Sequence, residues 1–414
     1  MDMPRVVITG IGPVTPIGIG VDAFWTSLRE GRSGIGRIQA YDSSGMKVQI
    51  AAEVKGFEPE RYMEAKAAKR MARFSQFAVA AARLAREDAG LDLGSVDTEG
   101  VATVVNTGGG GVTTIAEETE LLARRGPGRV GALFVPKMAA NMASCQVSIE
   151  LGLEGPVITS AAACASSIYA FIDGWQMMQV GEAALAFAGG TESNMSVLGI
   201  AGLANMQALS RRNDDPERAS RPFDRDRDGF VFGEGAVVCV LERLADARAR
   251  GARIYAEVLG GGRTGDAFHI TAPRADGSGA ARAMRLALKR AHIAPESVDY
   301  ICAHGTGTPL NDAAETRAIK SVFGDHAYAL AVSSPKSMTG HLMGAAGAVS
   351  VAATALAIDY GEMPPTINLD APDAECDLDY VPNVSRKAPV RYALANGFGF
   401  GGQNGVVALG RVDG

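Results

Sequence analysis

The stretch RLAREDAGLDLGSVD at residues 83–97 has a counterpart, RLALKRAHIAPESVD, at residues 285–299. The second copy begins 202 residues after the first, and identities fall at both ends and at Ala89 and Ala291. Each copy reads as a helical stretch followed by an apolar strand, residues 101–108 and 300–307, that ends in a Gly-rich turn. The repeat therefore indicates two related structural units. Chance similarity between two amphipathic helices is the alternative, because short helical patterns recur often.

The two apolar strands carry the prediction of fold class. Near-continuous apolar strands that alternate with helices need a sheet covered on both faces. We therefore predict an α/β fold with two related halves, residues 1–255 and 256–414. No long low-complexity linker separates them, so the halves should share one continuous core. Residues 210–228, dense in Arg and Asp, read as a surface loop inserted between the repeats.

Composition excludes several classes of protein. Of the 414 residues, 47% are apolar, which is enough for a large core and argues against a disordered chain. The net charge of −6 argues against nucleic acid as a partner. Residues 155–172 and 342–358 are uncharged, but their proline, hydroxyl and small residues favour buried core segments over membrane spans. The early strand at Val6 argues against a signal peptide.

The cysteines are few and scattered. Their positions, which include no C-x-x-C pair, are Cys145, Cys164, Cys239, Cys302 and Cys376. This spacing argues against a zinc cage and against a disulfide framework, and it fits a reducing compartment. We assign all but Cys164 to structural positions, because free cysteine is commonly a small buried hydrophobic residue.

Cys164 differs from the others in its context. Residues 157–167 pass from apolar residues to small ones, and a helix should follow through Ile168 to Met178. A thiol at the start of a helix is close to the positive end of the peptide dipoles, which should lower its pKa and favour thiolate. A buried structural cysteine among alanines is the alternative at this position.

His304 and His341 share a second distinctive context. His304 lies where the strand of the second repeat meets the turn GTGTP, and strand ends of this kind are where α/β sheets place chemistry. His341 follows Lys336 in the segment SSPKSMTGH and precedes a Gly/Ala-rich helix that should correspond to the helix after Cys164. Related halves would bring both helix starts to one site. A thiol with two imidazoles and an ammonium is a nucleophile with acid–base and electrostatic support. A structural role is the alternative for each histidine.

Two Gly-rich elements remain. Residues 106–111 follow a strand but lack the spaced glycines and the acidic partner of a dinucleotide loop, so we predict no nucleotide cofactor. Residues 396–404 place Phe398 and Phe400 among glycines, which let backbone N–H groups approach a ligand and suit an oxyanion hole. A tight turn between two strands is compatible with the same pattern.

Taken together, these motifs resemble the beta-ketoacyl-[acyl carrier protein] synthases, type II in particular, which have the thiolase-like fold. The likeness runs in order from Val6 to the C-terminus. The matching motifs are residues 161–167, 221–224, 228–230, 304–309, 336–341, 344–347, 364–369 and 396–402. The resemblance implies two pseudo-symmetric halves in layers α-β-α-β-α.

The resemblance also implies the roles of the site residues. Cys164 would accept an acyl chain as a thioester, and malonyl-[acyl carrier protein] would then lose CO2 and attack that thioester. His304 and His341 would hold the malonyl thioester carbonyl, and Lys336 would orient and tune the two imidazoles. The N–H groups of Cys164 and Phe400 would form the oxyanion hole. The residues expected to line the substrate path are Phe398, Phe400, Thr271, Thr306, Thr308 and Gly109.

Partners follow from the same resemblance. Acyl carrier protein brings the substrate on its phosphopantetheine, so no metal or separate cofactor is expected. Docking of this acidic partner is expected at Lys66, Lys69, Arg70 and Arg129, with a solvated helix face as the alternative. A cytoplasmic homodimer, bound to neither nucleic acid nor membrane, is expected.

Three positions depart from the family pattern. Ser350 stands where a glutamate that supports Lys336 is usual, which puts the partner of Lys336 in question. Gly109 stands where many type II enzymes have an isoleucine, which predicts room for longer or branched acyl chains. Ala272 follows Thr271 where a second hydroxyl is common, and it should weaken the pantetheine contacts slightly.

Three other functional classes share part of this sequence pattern. A ketosynthase of a type II polyketide or other secondary pathway would use the same residues on different substrates. A non-decarboxylating thiolase has a second cysteine in place of one histidine, so His304 and His341 argue against it. A non-catalytic partner subunit lacks the nucleophile, so Cys164 argues against that class.

Overall fold

The computed structural model describes residues 3–413. The strands are β1 (Val6–Thr15), β2 (Gly18–Ile19), β3 (Gly36–Arg37), β4 (Ile50–Ala51), β5 (Val101–Asn106), β6 (Val157–Ile158), β7 (Leu185–Glu192), β8 (Gly235–Arg243), β9 (Ala256–Gly265), β10 (Tyr300–Cys302), β11 (Ala331–Ser333), β12 (Glu362–Met363), β13 (Arg386–Lys387), β14 (Tyr392–Gly399) and β15 (Gln403–Gly410). The α-helices are α1 (Val21–Arg29), α2 (Ala65–Ala68), α3 (Arg73–Asp88), α4 (Val112–Arg125), α5 (Phe134–Met138), α6 (Met142–Leu151), α7 (Ser166–Val180), α8 (Val197–Asn205), α9 (Leu244–Ala249), α10 (Ser278–Ala291), α11 (Pro309–Phe323), α12 (Lys336–Thr339) and α13 (Ala346–Tyr360).

Ten strands form two half-sheets with the same internal order. The order is β6-β5-β7-β8-β1 in the first half and β11-β10-β14-β15-β9 in the second. The first three strands of each half-sheet are parallel, and the last two pairings are antiparallel. β1 also pairs antiparallel with β9, between residues 6–8 and 256–258, and this pairing joins the half-sheets into one large mixed sheet. The repeated order confirms the two pseudo-symmetric halves.

Helices cover both faces of the half-sheets. α3 packs on β1, β7 and β8 of the first half, and α10 packs on β9, β14 and β15 of the second. Between them, α7 and α13 contact strands of both half-sheets. Strands that are covered on both faces need apolar residues on both sides, and β5 and β7 are buried along their whole length. The result is the predicted α-β-α-β-α layering.

The repeat in the sequence corresponds to real elements. Its two copies cover the ends of α3 and α10 and the 3-10 turns Leu93–Ser95 and Pro295–Ser297. An extra turn, Thr98–Gly100, precedes β5 and has no counterpart before β10. Both strands end earlier than predicted, at Asn106 and Cys302, because the Gly-rich turns follow directly. The predicted boundary at 255/256 falls at the first residue of β9, and it stays a prediction because β1 pairs with both halves.

The most apolar helix of the molecule lies in the central layer. The helical segment Met343–Tyr360 has the length and composition of a membrane span, and 83% of it is buried inside the fold. Within α13, every residue from Ala346 to Ile358 is buried. Alanine, glycine and serine dominate this run, so the two sheets can approach the helix closely. The prediction that residues 342–358 form a buried core segment is confirmed.

The inserted segment 210–228 is not simply a surface loop. Arg221 and Arg227 are buried, and each forms an ion pair with a carboxylate: Arg221 with Asp224 at 2.9 Å, and Arg227 with Asp373 at 2.7 Å. Arg227 also lies 3.6 Å from Asp312 at the start of α11. The surface prediction was wrong for this part, because charges that neutralise each other can be buried, and composition does not reveal the pairing.

Candidate active site

Cys164 lies in a sharp turn between β6 and α7. The 3-10 turn Ala163–Ala165 leads directly into α7, and Ala163 has a left-handed backbone with φ 46°. We call this turn the first elbow. The thiol is buried, and the backbone N–H groups of Phe400 and of Cys164 itself lie close enough to favour its charged form. A Cβ at Gly399 would lie 2.5 Å from the carbonyl oxygen of Ala162, so only glycine brings the Phe400 peptide this close.

A second turn of the same geometry precedes α13. The 3-10 turn Met343–Ala345 leads into α13, and Met343 has φ 43°. α7 and α13 are both 15 residues long, and both end in a left-handed glycine, Gly181 and Gly361. In this second elbow Gly344 occupies the position that Cys164 has in the first. The helix starts are in contact, since the N–H of Ala348 donates to the Ser167 hydroxyl at 2.8 Å.

The two predicted histidines lie beside the thiol. The Cys164 sulfur and one ring nitrogen each of His304 and His341 lie within 4.8 Å of one another. The imidazole centroids are 5.4 Å apart, and the rings are nearly perpendicular at 82°. The N–H of Met343 donates to His341 Nδ1 at 3.2 Å, which leaves the proton on Nε2. The sequence-based prediction of a thiol and two imidazoles at one site therefore matches the geometry.

A cavity of about 340 Å³ opens onto these three side chains. Its lining residues come from both halves of the chain: Cys164, Met206, Gln207, Ala208, Gly229, Phe230, Thr271, Ala272, Pro273, His304, Thr306, Thr308, Pro309, Leu310, Asn311, His341, Phe398 and Phe400. Eight of the predicted site residues are among them. Lys336 and Gly109 are not.

The predicted lowering of the thiol pKa is wrong for this structure. Burial raises the pKa of Cys164 to about 12, because the enclosed site disfavours the charged thiolate. The ammonium of Lys336 and the N–H of Phe400 act in the opposite direction but do not outweigh burial. The resting nucleophile is therefore a neutral thiol, and a base must take its proton when it reacts.

Of the two imidazoles, His304 is the one that can accept that proton, because His341 Nδ1 already accepts from Met343 and its Nε2 carries a proton. Burial holds the pKa of His304 and of His341 well below its usual value, and the Lys336 ammonium lowers both further. Neutral imidazoles can accept a proton or donate the one they carry. His304 Nδ1 is buried and has no hydrogen-bond partner among residues 3–413.

Lys336 is buried behind the imidazoles at the start of α12. Burial lowers its pKa, while Cys302, Glu315 and Cys164 act in the opposite direction. Within the described part of the chain it forms no salt bridge. The Ser350 hydroxyl donates to the Ala346 carbonyl of its own helix at 3.2 Å, so it does not replace a carboxylate partner of the lysine.

Two buried carboxylates that sequence reasoning missed hold the turn after β10. Glu315 accepts hydrogen bonds from the N–H groups of His304 and Gly305, both at 2.8 Å. Asp312 accepts from the N–H groups of Thr306 at 3.1 Å and Gly307 at 3.2 Å. Within this turn the Thr306 and Thr308 hydroxyls are 2.9 Å apart. Both carboxylates lie on the buried face of α11, and acidic residues three apart after a Gly-rich turn were the signal available in the sequence.

A third missed carboxylate, Glu192, is the last residue of β7. It is buried, and backbone N–H groups of both halves donate to it. The available signal was an acidic residue, Glu192, shortly after the uncharged run of apolar and small residues 185–190.

The remaining predicted residues lie away from the cavity. Gly109 is exposed on the loop before α4. Lys66, Lys69, Arg70 and Arg129 are exposed, and none of them forms a salt bridge with a described residue. These four side chains are therefore free to contact a partner.

The Cys164, His304 and His341 atoms are also close enough to hold a metal ion. Metal binding would require a thiolate, and burial disfavours that form here. The Lys336 ammonium, whose charge acts on all three side chains, would repel a cation at the same place. The distances among the three donor atoms suit a metal ion, but the positive charge of Lys336 and the neutral thiol disfavour its binding.

A thiolase-like fold with a thiol and two neutral imidazoles on one cavity defines a class, the condensing enzymes that form carbon–carbon bonds on thioesters. Comparison with known proteins gives the family. Residues 3–247 match the model of the beta-ketoacyl synthase N-terminal domain, and residues 255–370 match that of the C-terminal domain. The chain belongs to the beta-ketoacyl synthase family.

Individual relatives match over the whole length. A curated protein of Synechocystis sp., 3-oxoacyl-[acyl-carrier-protein] synthase 2, is 48% identical over 99% of this chain and 98% of its own. The ishigamide ketosynthase/chain length factor structure is 39% identical, with a TM-score of 0.94 over 100% of both chains. A structure of a type II polyketide acyl-carrier protein in complex with its ketosynthase bound to the hexaketide is 34% identical, with a TM-score of 0.91 over 100% of both chains.

Proposed function

We propose that this protein elongates an acyl chain by two carbons through decarboxylating condensation with malonyl-[acyl carrier protein]. The product is a beta-ketoacyl-[acyl carrier protein]. The observation that carries this proposal is the meeting of Cys164, His304 and His341 within 4.8 Å on one cavity. The relatives named 3-oxoacyl-[acyl-carrier-protein] synthase 2 support fatty acyl chains as the substrates.

The first step is acyl transfer to Cys164. An imidazole takes the thiol proton, and the sulfur attacks the carbonyl carbon of the incoming thioester. The negative charge that develops on the carbonyl oxygen is stabilised by the N–H groups of Cys164 and Phe400, which lie beside the sulfur. The carbon–sulfur bond to the carrier then breaks, and the carrier thiol leaves with the proton.

The second step is decarboxylation of the malonyl group. The bond between its carboxylate and the adjacent carbon breaks, CO2 leaves, and the electron pair moves toward the thioester oxygen. The Nε2–H of His341 donates to that oxygen, and His304 supports it. The carbanion attacks the acyl carbon on Cys164, the carbon–sulfur bond breaks, and the Cys164 thiolate takes a proton from solvent in place of the one that left with the carrier. Lys336 keeps both imidazoles neutral by opposing their protonation.

Acylation tests this proposal most directly. Intact-protein mass spectrometry after incubation with a long-chain acyl-carrier should give the mass of one acyl group on the wild type and none on Cys164→Ala. Cys145→Ala is the matched control, because Cys145 is a half-buried thiol on α6 outside the cavity, and this variant should still be acylated. Full acylation of Cys164→Ala would refute the assignment.

The polyketide alternative keeps specific support. Two of the structural neighbours are the ishigamide ketosynthase/chain length factor and a type II polyketide ketosynthase bound to its acyl-carrier protein and the hexaketide. Both reactions would use the same thiol and imidazoles, so they differ only in the chain that is bound. Competition between a fatty acyl-carrier and a poly-beta-keto starter for Cys164 decides between them, and preferential acylation by the fatty chain supports fatty acid elongation.

Carrier docking is proposed at Lys66, Lys69, Arg70 and Arg129, which are exposed and free of salt bridges with described residues. Surface charges of this kind mainly accelerate encounter with an acidic partner. Charge reversal of Lys69 should raise KM for acyl-carrier in low salt by about threefold to tenfold and leave kcat unchanged. Acyl-pantetheine, which lacks the carrier, should not respond to the same substitution.

A homodimer is proposed through β6, the outer strand of the first half-sheet. The Thr103 N–H donates to the Pro156 carbonyl, so the N–H and C=O of Val157 face outward. Exposed apolar side chains lie on this open edge and on the helix that contacts it, Val157 on β6 and Ile149 on α6. Val157→Lys should give a monomer by light scattering, and Val180→Lys, at an exposed helix end, should not. Unchanged size in both would exclude this surface.

No metal or other cofactor is proposed for the reaction, since the substrate carries its own phosphopantetheine. The positive charge of Lys336 beside the thiol supports this view. Treatment with a chelator should leave the condensation rate unchanged. A cytoplasmic location is proposed as well, and the five free cysteines support a reducing compartment.

A further inference from the structure

Glu192 occupies an unusual position for a charged residue. It is buried at the end of β7, and it forms no salt bridge with any residue from 3 to 413. Its carboxylate is surrounded instead by N–H donors. Gly108 donates at 2.9 Å, Gly109 at 3.2 Å and Gly344 at 3.1 Å. These hydrogen bonds favour the charged form in place of a counter-charge, but burial outweighs them and raises the pKa of Glu192 to about 7.

The three N–H donors belong to two different halves of the molecule. Gly108 and Gly109 form the loop after β5 in the first half, and Gly344 lies in the second elbow. The loop and the elbow are packed together so closely that a Cβ at Gly344 would lie 2.1 Å from the Gly108 nitrogen. Glu192 therefore holds the two segments against each other at their point of closest approach.

The second elbow in turn determines the orientation of His341. Met343 donates its N–H to His341 Nδ1, and the next peptide N–H, that of Gly344, donates to Glu192. Met343 itself is in the left-handed region, which is strained for a long side chain. Strained residues persist where their neighbours constrain them on both sides. The carboxylate supplies that constraint on one side, and the imidazole on the other.

We propose that Glu192 is a positioning residue whose carboxylate fixes the second elbow and thereby holds the His341 ring beside Cys164 during decarboxylation. This inference rests on the proposed function and adds a residue to it. The backbone of His341 is independently fixed by Val231 at 2.7 Å and Gly233 at 2.9 Å. The expected defect is therefore in the ring orientation of His341 and not in the fold around it.

The half-reactions separate a positioning role from a merely structural one. In Glu192→Gln an amide NH2 faces N–H donors, so the elbow should loosen. CO2 release from malonyl-carrier by the acylated enzyme should fall by about tenfold to a hundredfold, while acylation of Cys164 stays close to the wild-type rate. Glu192→Asp keeps the charge and should lose less. An equal loss in both half-reactions, or equal losses for Asp and Gln, would overturn the proposal.

Chemical rescue provides a second, independent readout. Formate should restore part of the CO2 release of Glu192→Ala by binding the same N–H groups, and formamide at equal concentration should not. The control is Glu242→Ala, because Glu242 is a buried glutamate at the opposite end of the paired strands β7 and β8. It should lose stability and show no response to formate. Absence of a difference between formate and formamide in Glu192→Ala would refute the role. Failure of wild-type acylation would instead refute the proposed function.

Discussion

The two elbows have nearly the same backbone and opposite chemistry. Ala163 and Met343 have φ values of 46° and 43°, and each is the first residue of a 3-10 turn that leads into a helix of 15 residues. In the first elbow the N–H of Cys164 lies beside the thiol and is available to a substrate oxygen. In the second elbow the equivalent N–H, that of Gly344, is occupied by Glu192. Duplication thus supplied two anion-binding turns, of which one serves the reaction and the other is filled by the protein's own carboxylate.

The comparison is tested most strongly at His341, the side chain that the second elbow orients. His341→Ala should lower CO2 release from malonyl-carrier by about 10²–10⁴-fold, because it removes the proton donor to the thioester oxygen. Acylation of Cys164 depends on the first elbow and should fall much less. Rapid-quench measurement of CO2 release and of Cys164 acylation checks whether the substitution affects the first much more than the second. Equal losses would mean that the two elbows do not act separately.

The substitution Gly344→Ala tests whether lack of space explains why the second elbow carries glycine and no nucleophilic side chain. A Cβ there would lie 2.1 Å from the Gly108 backbone nitrogen, so Gly344→Ala should cost about 3 kcal/mol of unfolding free energy through overpacking. Gly361→Ala at the other end of α13 is the matched control. Its added Cβ meets only the Ala388 carbonyl oxygen at 3.7 Å, and its left-handed backbone should cost about 1 kcal/mol. Urea unfolding measures both, and equal costs would remove the steric explanation.

Lys336 links the elbows electrostatically. Its ammonium lowers the pKa of His304 and His341, so Lys336→Met should let both pKa values rise toward the ordinary value. Protonated imidazoles cannot act as bases, so the acid limb of the rate profile should move to higher pH. Rates of Cys164 acylation between about pH 5 and pH 8 check the sign. A shift to lower pH would contradict the assignment of Lys336 as the charge that keeps the imidazoles neutral.

Gly109 belongs to the loop that Glu192 holds against the second elbow, and it should have the smallest effect. If the loop borders the acyl chain, Gly109→Ile should lower acylation by a palmitoyl-carrier by about tenfold relative to a hexanoyl-carrier. Gly109→Ala is the control, because its Cβ makes the same close contacts with Glu192 at 3.3 Å and Val112 at 3.4 Å but adds no longer side chain. An unchanged preference in Gly109→Ile would place the acyl chain elsewhere.

The fold and most of the site could be predicted from the sequence because local sequence patterns indicate both. The repeat at 83–97 and 285–299 predicted two halves, and small-residue turns after apolar strands predicted where Cys164 and His304 lie. The family resemblance added Phe398, Phe400 and the threonines, which line the cavity. Each motif lies within a short stretch of chain, and the repeat is visible because its two copies have similar sequences.

The missed features depend on contacts between distant segments. Glu192 and Gly344 are 152 positions apart, and Arg227 and Asp373 are 146 apart, so neither pairing is visible in the chain order. The direction of the Cys164 pKa shift was wrong for the same reason. The helix start is a local feature, whereas the burial that outweighs it is produced by residues of both halves.

Strand β1 has a further consequence for how substrate enters. It pairs with β8 along most of its length and with β9 at residues 6–8, so it is shared by both half-sheets. The two halves cannot separate by a hinge motion without breaking the pairing of β1 with β9 that makes the sheet continuous. Substrate must instead enter the cavity through a local opening while the two halves keep their relative positions. Gly401 and Gly402, with φ values of 80° and 73°, directly follow Phe400 of the cavity lining, and we expect a local movement at this turn.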